Sequence, residues 1–177
     1  MLDYDPYALL KPLPSFQVTS ADVTDDAAIP RSMYAPDWGG ESRSPALEWS
    51  GFPPDTESFA VTCFDPDAPT GSGFWHWAVY NIPASVTSLP GNAGSADGRL
   101  LPEGAITLPN EYRQTQFEGA GPPEGTGIHR YLFIVHAVDV PALDLPDRCT
   151  PTVLAFNLHY HSLARARVVP VGTYERS

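Results

Sequence analysis

Residues 130–138 read Arg-Tyr-Leu-Phe-Ile-Val-His-Ala-Val and form the most continuous apolar run of this 177-residue chain. An uninterrupted run of branched and aromatic side chains is typical of a strand that is buried on both faces. We therefore predict that this segment is a central strand of a sheet.

Six further segments have strand character and end at turn residues. Residues 59–64 stop at Asp65-Pro66, and residues 75–82 stop at Pro83, which cannot donate to a ladder. Shorter candidates are residues 16–19, 46–49, 106–108 and 168–174. The 14 glycines and 20 prolines are scattered without a period, which favours short strands joined by loops. The loop-rich stretch 21–44 holds at most one strand, near Ile29, and the whole of 1–177 is predicted as a single, mainly β domain.

One helix is marked near the end of the chain. Thr150 is suited to the N-cap and Pro151 to the first helical position. Apolar side chains then follow a spacing of three and four at Val153, Phe156, Tyr160 and Leu163, with Leu154 and Leu158 beside them. We expect this stripe to be the buried face of the helix, with His161 packed on it.

Composition narrows the classes of partner. The formal net charge is -11 and no basic cluster is present, so nucleic acid is not expected as a partner. No apolar stretch reaches the length of a membrane helix, so integral membrane contact is not expected. Residues 1–13 lack the apolar core of a signal peptide, and Cys63 and Cys149 do not make a disulfide framework. These features predict a cytoplasmic protein.

Three short stretches carry the candidate site residues, and all of them lie at strand ends or in adjoining loops. They are Asp65-Pro66-Asp67-Ala68-Pro69, Trp75-His76-Trp77, and residues 121–131, Gly-Pro-Pro-Glu-Gly-Thr-Gly-Ile-His-Arg-Tyr. Each alone has a structural explanation, since Asp, Pro and Gly make turns and a histidine between tryptophans is usually packed. Together they supply carboxylates, imidazoles and a tyrosine hydroxyl that a compact sheet can bring to one place.

This combination of groups suits a small charged ligand. An imidazole beside an aspartate tends to keep its proton, and glycines let backbone N–H groups approach a ligand closely. Phosphate or carboxylate is therefore an expected ligand. The aspartates would either orient the imidazoles or face the ammonium end of a zwitterion.

Two of these stretches resemble the signatures of the phosphatidylethanolamine-binding protein family. Residues 65–69 resemble its first signature, and residues 121–123 followed by 127–131 resemble its second. The likeness runs from about Phe16 to the end of the chain. The stretches that look like the bacterial, Raf kinase inhibitor-like branch are 163–166 and 172–174.

The resemblance implies a fold and a pocket. The fold is a large central antiparallel sheet packed on a smaller sheet, a β-sandwich with one or two peripheral helices. The residues implied to line the pocket are Asp65, Asp67, His76, Gly121, Pro122, Pro123, His129 and Tyr131. Arg130 is implied to be structural and to pair with an acid, for which Asp67 is a candidate.

The resemblance also implies a binding module, not an enzyme, without a cofactor. Its ligands would be phosphate, acetate, cacodylate or a phosphoethanolamine-like phospholipid head group. The family relationship further suggests an inhibitor or scaffold for a kinase or protease, and a homodimer.

Two alternatives stay open. One is a hydrolase that uses the Asp/His pairs as acid and base, although no nucleophile elbow is present. The other is a pure interaction protein with a vestigial pocket. Asp65, Asp67, His76 and His129 would also suit a divalent metal, but no compact His-x-x-x-His spacing is present, and no metal is predicted.

Overall fold

The computed structural model describes residues 4–174. Its ten strands are β1 Gln17–Thr19, β2 Leu47–Ser50, β3 Ser58–Asp65, β4 Phe74–Pro83, β5 Ser88–Leu89, β6 Ile106–Thr107, β7 Ile128–Arg130, β8 Leu132–Val138, β9 Ser162–Val168 and β10 Val171–Thr173. The single α-helix of this part of the chain is α1, Pro151–His161. The mainly β prediction is therefore confirmed.

The central sheet has five antiparallel strands in the order β6-β4-β3-β8-β9. The strands β3 and β8 occupy its middle, and every residue of both is buried. Their apolar runs are therefore explained by burial on both faces of the sheet. The predicted central position of the apolar run at residues 132–138 is confirmed.

A smaller sheet covers one face of the central sheet. Its order is β1-β2-β5, and Trp49 of β2 packs edge-on against Phe59 of β3 with ring centroids 5.3 Å apart. Leu47 and Leu89 of the small sheet are buried in the same core as Val61 and Phe133. The two sheets thus form the predicted sandwich, and they bury alternate side chains of β2.

The segment 130–138 is not one strand, contrary to the prediction. It divides at Tyr131, where the short strand β7 leaves the central sheet and pairs with β10. Likewise, 168–174 is not one strand, because β9 ends at Val168 and Pro170, which lacks an N–H donor, precedes β10. The Tyr131 N–H donates to the Pro170 carbonyl (2.9 Å), which joins the two breaks.

The strand β9 begins directly after the helix and was missed by the sequence reading. Its sequence is Ser-Leu-Ala-Arg-Ala-Arg-Val. The inward positions hold mostly small side chains and the outward positions include two arginines, so the apolar alternation is weak. The small Ala164 and Ala166 are buried because they face the crowded core between the sheets.

The helix confirms its predicted start but not its predicted buried face. The Thr150 hydroxyl accepts the Val153 N–H (3.4 Å), and Pro151 is the first residue. Leu154 and Leu158 are the apolar side chains that pack on the outer face of the central sheet. In contrast, Phe156 and Tyr160 are 64% and 63% exposed.

The expected packing of His161 is also wrong. Its side chain is partly exposed, and Nδ1 lies 2.8 Å from Asp139. Leu163 belongs to β9, not to the helix. The contact between α1 and the sheet uses the small Ala60 and Ala78, which leave room for the two leucines and fix which face turns inward.

The stretch 21–44 contains two 3₁₀ turns, Arg31–Met33 and Pro36–Trp38. Ile29 is buried, and its N–H donates to Val171 (2.8 Å), but only an isolated bridge forms there and no strand. The Ala35 N–H donates to the Ala120 carbonyl (2.9 Å) and the Ala120 N–H donates to the Met33 carbonyl (3.0 Å), so the turns are anchored on the rest of the domain. No helix among residues 4–174 is long and apolar enough to cross a membrane.

The corrected helix face makes a testable difference between two residues of one helix. Leu154→Ala should lower the free energy of unfolding by about 2–5 kcal/mol, because it empties a fully buried site. Phe156→Ala should change it by less than about 1 kcal/mol, because that ring is mainly exposed. Urea denaturation measures both, and a larger loss for Phe156→Ala would show that the opposite face packs on the sheet.

Candidate ligand-binding site

Asp65 and His129 form a buried contact at the centre of the predicted site. Asp65 is the last residue of β3, and His129 is the middle residue of β7. Asp65 Oδ2 lies 2.7 Å from His129 Nδ1, and the two side chains are 4% and 1% exposed. Since a carboxylate oxygen accepts, Nδ1 carries the hydrogen. This contact ties the end of the central sheet to the two-stranded β7–β10 ribbon.

The second oxygen of Asp65 organises the loop that follows β3. Asp65 Oδ1 accepts the backbone N–H groups of Asp67 (2.8 Å) and Ala68 (3.0 Å). This is the turn chemistry expected of an Asp-Pro-Asp sequence. One carboxylate therefore shapes its own loop and also orients an imidazole.

His129 has a partner on its other ring nitrogen as well. Nε2 lies 2.8 Å from the Thr126 hydroxyl, and that hydroxyl lies 2.7 Å from the Pro123 carbonyl. Asp65 and Thr126 together occupy both ring nitrogens of His129, so a ligand that bonds to His129 must displace Thr126.

His76 has a different environment. It lies near the start of β4, and its Nδ1 donates to the Glu118 carbonyl (2.8 Å). Among the residues that the structure describes, Nε2 has no hydrogen-bond partner. Burial lowers the pKa of His76 below 6.5, and the Glu118 carbonyl and the Asp65 charge only partly oppose this effect. His76 is therefore neutral at pH 7, contrary to the expectation of a protonated imidazole at this position.

Asp67 faces away from the site and binds Arg130. Its carboxylate accepts the Arg130 backbone N–H (3.0 Å), Nε–H (2.7 Å) and Nη2–H (2.9 Å). Burial opposes ionisation of Asp67, but these bonds outweigh it and lower the pKa of the carboxyl. The predicted Asp67–Arg130 pair is therefore confirmed.

Tyr131 is also behind the site. The side chain is buried, and its ring packs edge-on against His76 with centroids 5.2 Å apart. A Cβ on Gly172 would stand 2.9 Å from Cε2 of Tyr131, so the glycine opposite His129 lets this ring fit. Tyr131 thus supports the His76 ring.

These residues surround a cavity of about 440 Å³, which we call the site cavity. Five of the predicted site residues line it: Asp65, His76, Gly121, Pro123 and His129. Three do not: Asp67, Tyr131 and Pro122, whose carbonyl accepts the Trp38 Nε1–H (3.2 Å). That the lining residues bind a ligand stays a prediction.

The opposite wall was missed by the sequence reading. It comes from the second 3₁₀ turn, which places Asp37 and Trp38 at the cavity, and from Glu118 and Gly119. A Cβ on Gly119 would stand 2.5 Å from the Ala35 backbone nitrogen, so close packing of two loops builds this wall. A local sequence signal does not reveal such a contact, because it joins segments about 80 positions apart.

The charges on the site cavity are negative. Asp37, Asp65 and Glu118 line it, and no lysine or arginine among residues 4–174 does. Burial raises the pKa of Glu118, and the charge of Asp37 raises it further. The aromatic rings of Trp38, Phe74 and Tyr112 complete the walls. Within the described range, no group of three or more His, Cys, Asp or Glu side chains is placed to hold a metal ion.

Comparison with known proteins identifies relatives along nearly the whole chain. The phosphatidylethanolamine-binding protein family matches residues 19–175. The UPF0098 protein YbcL of Escherichia coli is 42% identical over 159 residues, which cover 89% of this chain and 87% of YbcL. The UPF0098 protein YbhB of the same organism is 41% identical over 155 residues, 86% of this chain and 96% of YbhB.

Structural comparison agrees with the sequence relationship. The crystal structure of E. coli YbcL, described as a new member of the mammalian PEBP family, has a TM-score of 0.87 at 41% identity and covers 91% of this chain and 99% of its own. A Mycobacterium tuberculosis relative named lipoprotein LppC is 33% identical over 158 residues, 89% of this chain and 71% of LppC. The resemblance to bacterial members is therefore confirmed.

The Asp67–Arg130 pair predicts a pH-dependent loss of stability. Asp67→Asn should lower the free energy of unfolding by about 2–4 kcal/mol at pH 7, because Arg130 loses its charged partner. The folded pKa of Asp67 is lowered, so its stabilising effect is present above pH 3.8 and disappears as pH falls through the folded pKa. Urea denaturation between pH 7 and pH 2 measures this difference.

The control for that experiment is Asp97→Asn, which removes the exposed pair with Arg99. It should have no measurable effect, because solvent screens such pairs. Equal losses for the two variants would contradict the structural role of Asp67.

Proposed function

The chain belongs to the phosphatidylethanolamine-binding protein family, and on that premise we propose that its site cavity binds a small head group with both a phosphate and an ammonium. Phosphoethanolamine and the head group of its phospholipid have this chemistry. The protein then acts as a binding module without turnover. The observation that carries the proposal is the charge distribution of the cavity.

A bare phosphate is poorly matched to this distribution. The lining offers three carboxylates and no lysine or arginine among residues 4–174. Two unit charges 4 Å apart interact by about 4 kcal/mol at an effective dielectric constant of 20. A ligand with only negative charge is therefore repelled, whereas an ammonium near Asp37 and Glu118 offsets the repulsion felt by its phosphate.

The phosphate end has one suitable contact in His76. Its Nδ1 is fixed by the Glu118 carbonyl, so Nε2 is the nitrogen that gains or loses a proton at the cavity. A bound anion favours the protonated ring and raises the pKa that burial has lowered. His129 orients the floor of the cavity through Asp65 and does not supply a free nitrogen.

The aromatic walls suit the ammonium and the short carbon linker of such a head group. Phe74 and Tyr112 pack edge-on with centroids 5.2 Å apart, and the Trp38 ring is held by its bond to Pro122. Aromatic faces attract cations and cover apolar groups. The cavity thus offers a carboxylate-and-aromatic environment to the cation, next to an imidazole for the anion.

A hydrolase is the second candidate, and one observation favours it. The Thr126 hydroxyl lies 2.8 Å from one ring nitrogen of His129, and Asp65 lies 2.7 Å from the other. A hydrolase would use such a chain with the hydroxyl as nucleophile, the imidazole as base and the carboxylate as the group that orients the imidazole. However, the Thr126 hydroxyl is directed at the Pro123 carbonyl and does not line the cavity. Turnover of phosphomonoesters or esters that Thr126→Val abolishes would favour the hydrolase over the binding module.

A role as inhibitor or scaffold for a kinase or protease, the homodimer and the cytoplasmic location remain predictions. The absence of a cofactor and of a metal likewise stays a prediction. The inhibitor or scaffold role, the homodimer and the cytoplasmic location concern surfaces and compartments outside the site cavity, and the charge argument does not depend on these three.

The first prediction from this proposal concerns selectivity for a zwitterion. Glycerophosphoethanolamine should bind at least about tenfold more tightly than dimethyl phosphate, which has the same phosphodiester charge but no ammonium. The double variant Asp37→Asn/Glu118→Gln should reduce this ratio to about twofold or less, because it removes the ammonium partners. Isothermal titration calorimetry measures the four affinities, and equal affinity of both ligands for the unaltered protein would refute the proposal.

The second prediction concerns pH. Both head-group charges stay constant between pH 5 and pH 8 in glycerophosphoethanolamine, so the protein alone titrates. Affinity should rise as pH falls from the pKa of His76 in the complex to its lower pKa in the free protein, by up to about tenfold per pH unit, because the bound anion favours the protonated ring. The variant His76→Gln should lose this rise.

His161→Gln is the matched control, because His161 lies on the helix away from the site cavity and should keep the pH dependence. The His76→Gln profile also shows the contribution of Glu118, whose pKa is raised. Protonation of Glu118 at low pH removes a partner of the ammonium and so lowers the affinity, opposite to the effect of His76. An identical pH profile for the unaltered protein and His76→Gln would exclude His76 as the phosphate contact.

A further inference from the structure

A second cavity of about 440 Å³ lies on the outer face of the central sheet, which we call the outer cavity. The helix α1 forms one side of it, and residues 7–13 form the other. Its walls are mainly apolar and include Leu10, Leu13, Trp75, Ala155, Phe156 and Leu158. It is large enough for a small organic ligand.

The charge on the outer cavity is opposite to that on the site cavity. Lys11 and Arg165 line it, and no aspartate or glutamate within residues 4–174 does. The chain has 21 acidic and only 10 basic residues, so an apolar cavity with only cationic charges is unexpected on this surface. The polarity favours a ligand with negative charge.

Arg165 is a half-buried cation without a carboxylate partner. Its Nη2 donates to the Lys11 carbonyl (2.8 Å), and its guanidinium lies over the Tyr7 ring at 5.2 Å. No carboxylate among the described residues lies within 4 Å of it, because the nearby Asp5 pairs with Arg167 at 2.8 Å. Removing a guanidinium from water is costly unless an anion or acceptors replace the water.

Polar groups at the base of the cavity lie next to Arg165. His136 is its cross-strand partner in β8, and the His136 Nδ1 lies 3.0 Å from the Ser162 hydroxyl. The Thr62 hydroxyl is buried and interacts with the Tyr7 hydroxyl. Burial lowers the pKa of His136 to about 3, so this ring is neutral and offers Nε2 as a further polar contact.

The mouth of the cavity is apolar and open. Phe156 and Tyr160 are mainly exposed and pack edge-on with centroids 5.4 Å apart, and Leu10 is 44% exposed beside them. These rings do not stabilise the helix on the sheet, since Leu154 and Leu158 do that. A contiguous exposed apolar patch next to a cavity marks a binding surface.

We propose that the outer cavity binds a small amphiphilic acid, with its carboxylate at Arg165 and its alkyl or aromatic tail between α1 and residues 7–13. Charge complementarity selects the acid, and the apolar walls with their aromatic mouth select the tail. The outer cavity shares no lining residue with the site cavity. This second proposal therefore does not depend on the proposed head-group binding.

Calorimetric titration with octanoate and with 1-octanol tests the two halves of the proposal. Octanoate should bind with one site per chain and about tenfold or more tightly than the alcohol, because only the acid meets Arg165 with a charge-assisted bond. Arg165→Gln should remove that advantage. Arg167→Gln is the matched control, since Arg167 lies two residues further along β9, is exposed and does not line the outer cavity.

A second variant tests the location without altering charge. Ala155→Phe fills the cavity from the helix and should abolish saturable octanoate binding, while circular dichroism verifies that the variant is folded. The proposal is overturned if octanoate does not saturate, if Arg165→Gln and Arg167→Gln bind it equally, or if Ala155→Phe leaves its affinity unchanged. Sedimentation equilibrium adds one further outcome: a dimer that Ala155→Phe dissociates would make this face a subunit interface instead.

Discussion

The buried contact between Asp65 and His129 is the constraint on which the site depends. It joins the end of the central sheet to a ribbon that has left that sheet, and it does so in the protein interior. Removing one partner of a buried pair typically costs about 3–5 kcal/mol, because the other charge loses its compensation. The same carboxylate closes the following loop, so a single side chain sets the distance between two walls of the cavity.

Polar groups at this end of the sheet divide into two layers. Asp67 with Arg130, and Tyr131 with Gly172, lie behind the cavity and hold the loops in place. The front layer consists of His76, Asp37 and Glu118, which line the cavity. This division explains why signature residues that are adjacent in the chain have different physical tasks.

The two cavities show how an acidic domain distributes its few cations. Arg130 and Arg167 have carboxylate partners, whereas Arg165 is held by a carbonyl and an aromatic ring. The site cavity has the carboxylates but no Lys or Arg side chain along the described chain, and the outer cavity has the reverse. The two cavities share no lining residue, so their opposite polarities are separate features of the domain.

Sequence alone determined four of the five strands of the central sheet, the start of the helix and, through the family signatures, five residues that line the site cavity. Those features are local: apolar runs report burial on two faces, and Thr150-Pro151 caps a helix regardless of its neighbours. The family signatures added which distant loops meet. The resemblance also implied Asp67 as a candidate partner of Arg130, and the two side chains form an ion pair.

Only the tertiary structure decided which face of α1 is buried, where the strand at Tyr131 breaks and which wall closes the site cavity. Leu154 and Leu158 are buried because small residues of the sheet lie beneath them, although Phe156 and Tyr160 are equally apolar in sequence. The wall at Asp37 and Trp38 depends on contact with a loop about 80 residues away. Such choices depend on the shape of the partner surface, and a pattern along one segment does not contain that shape.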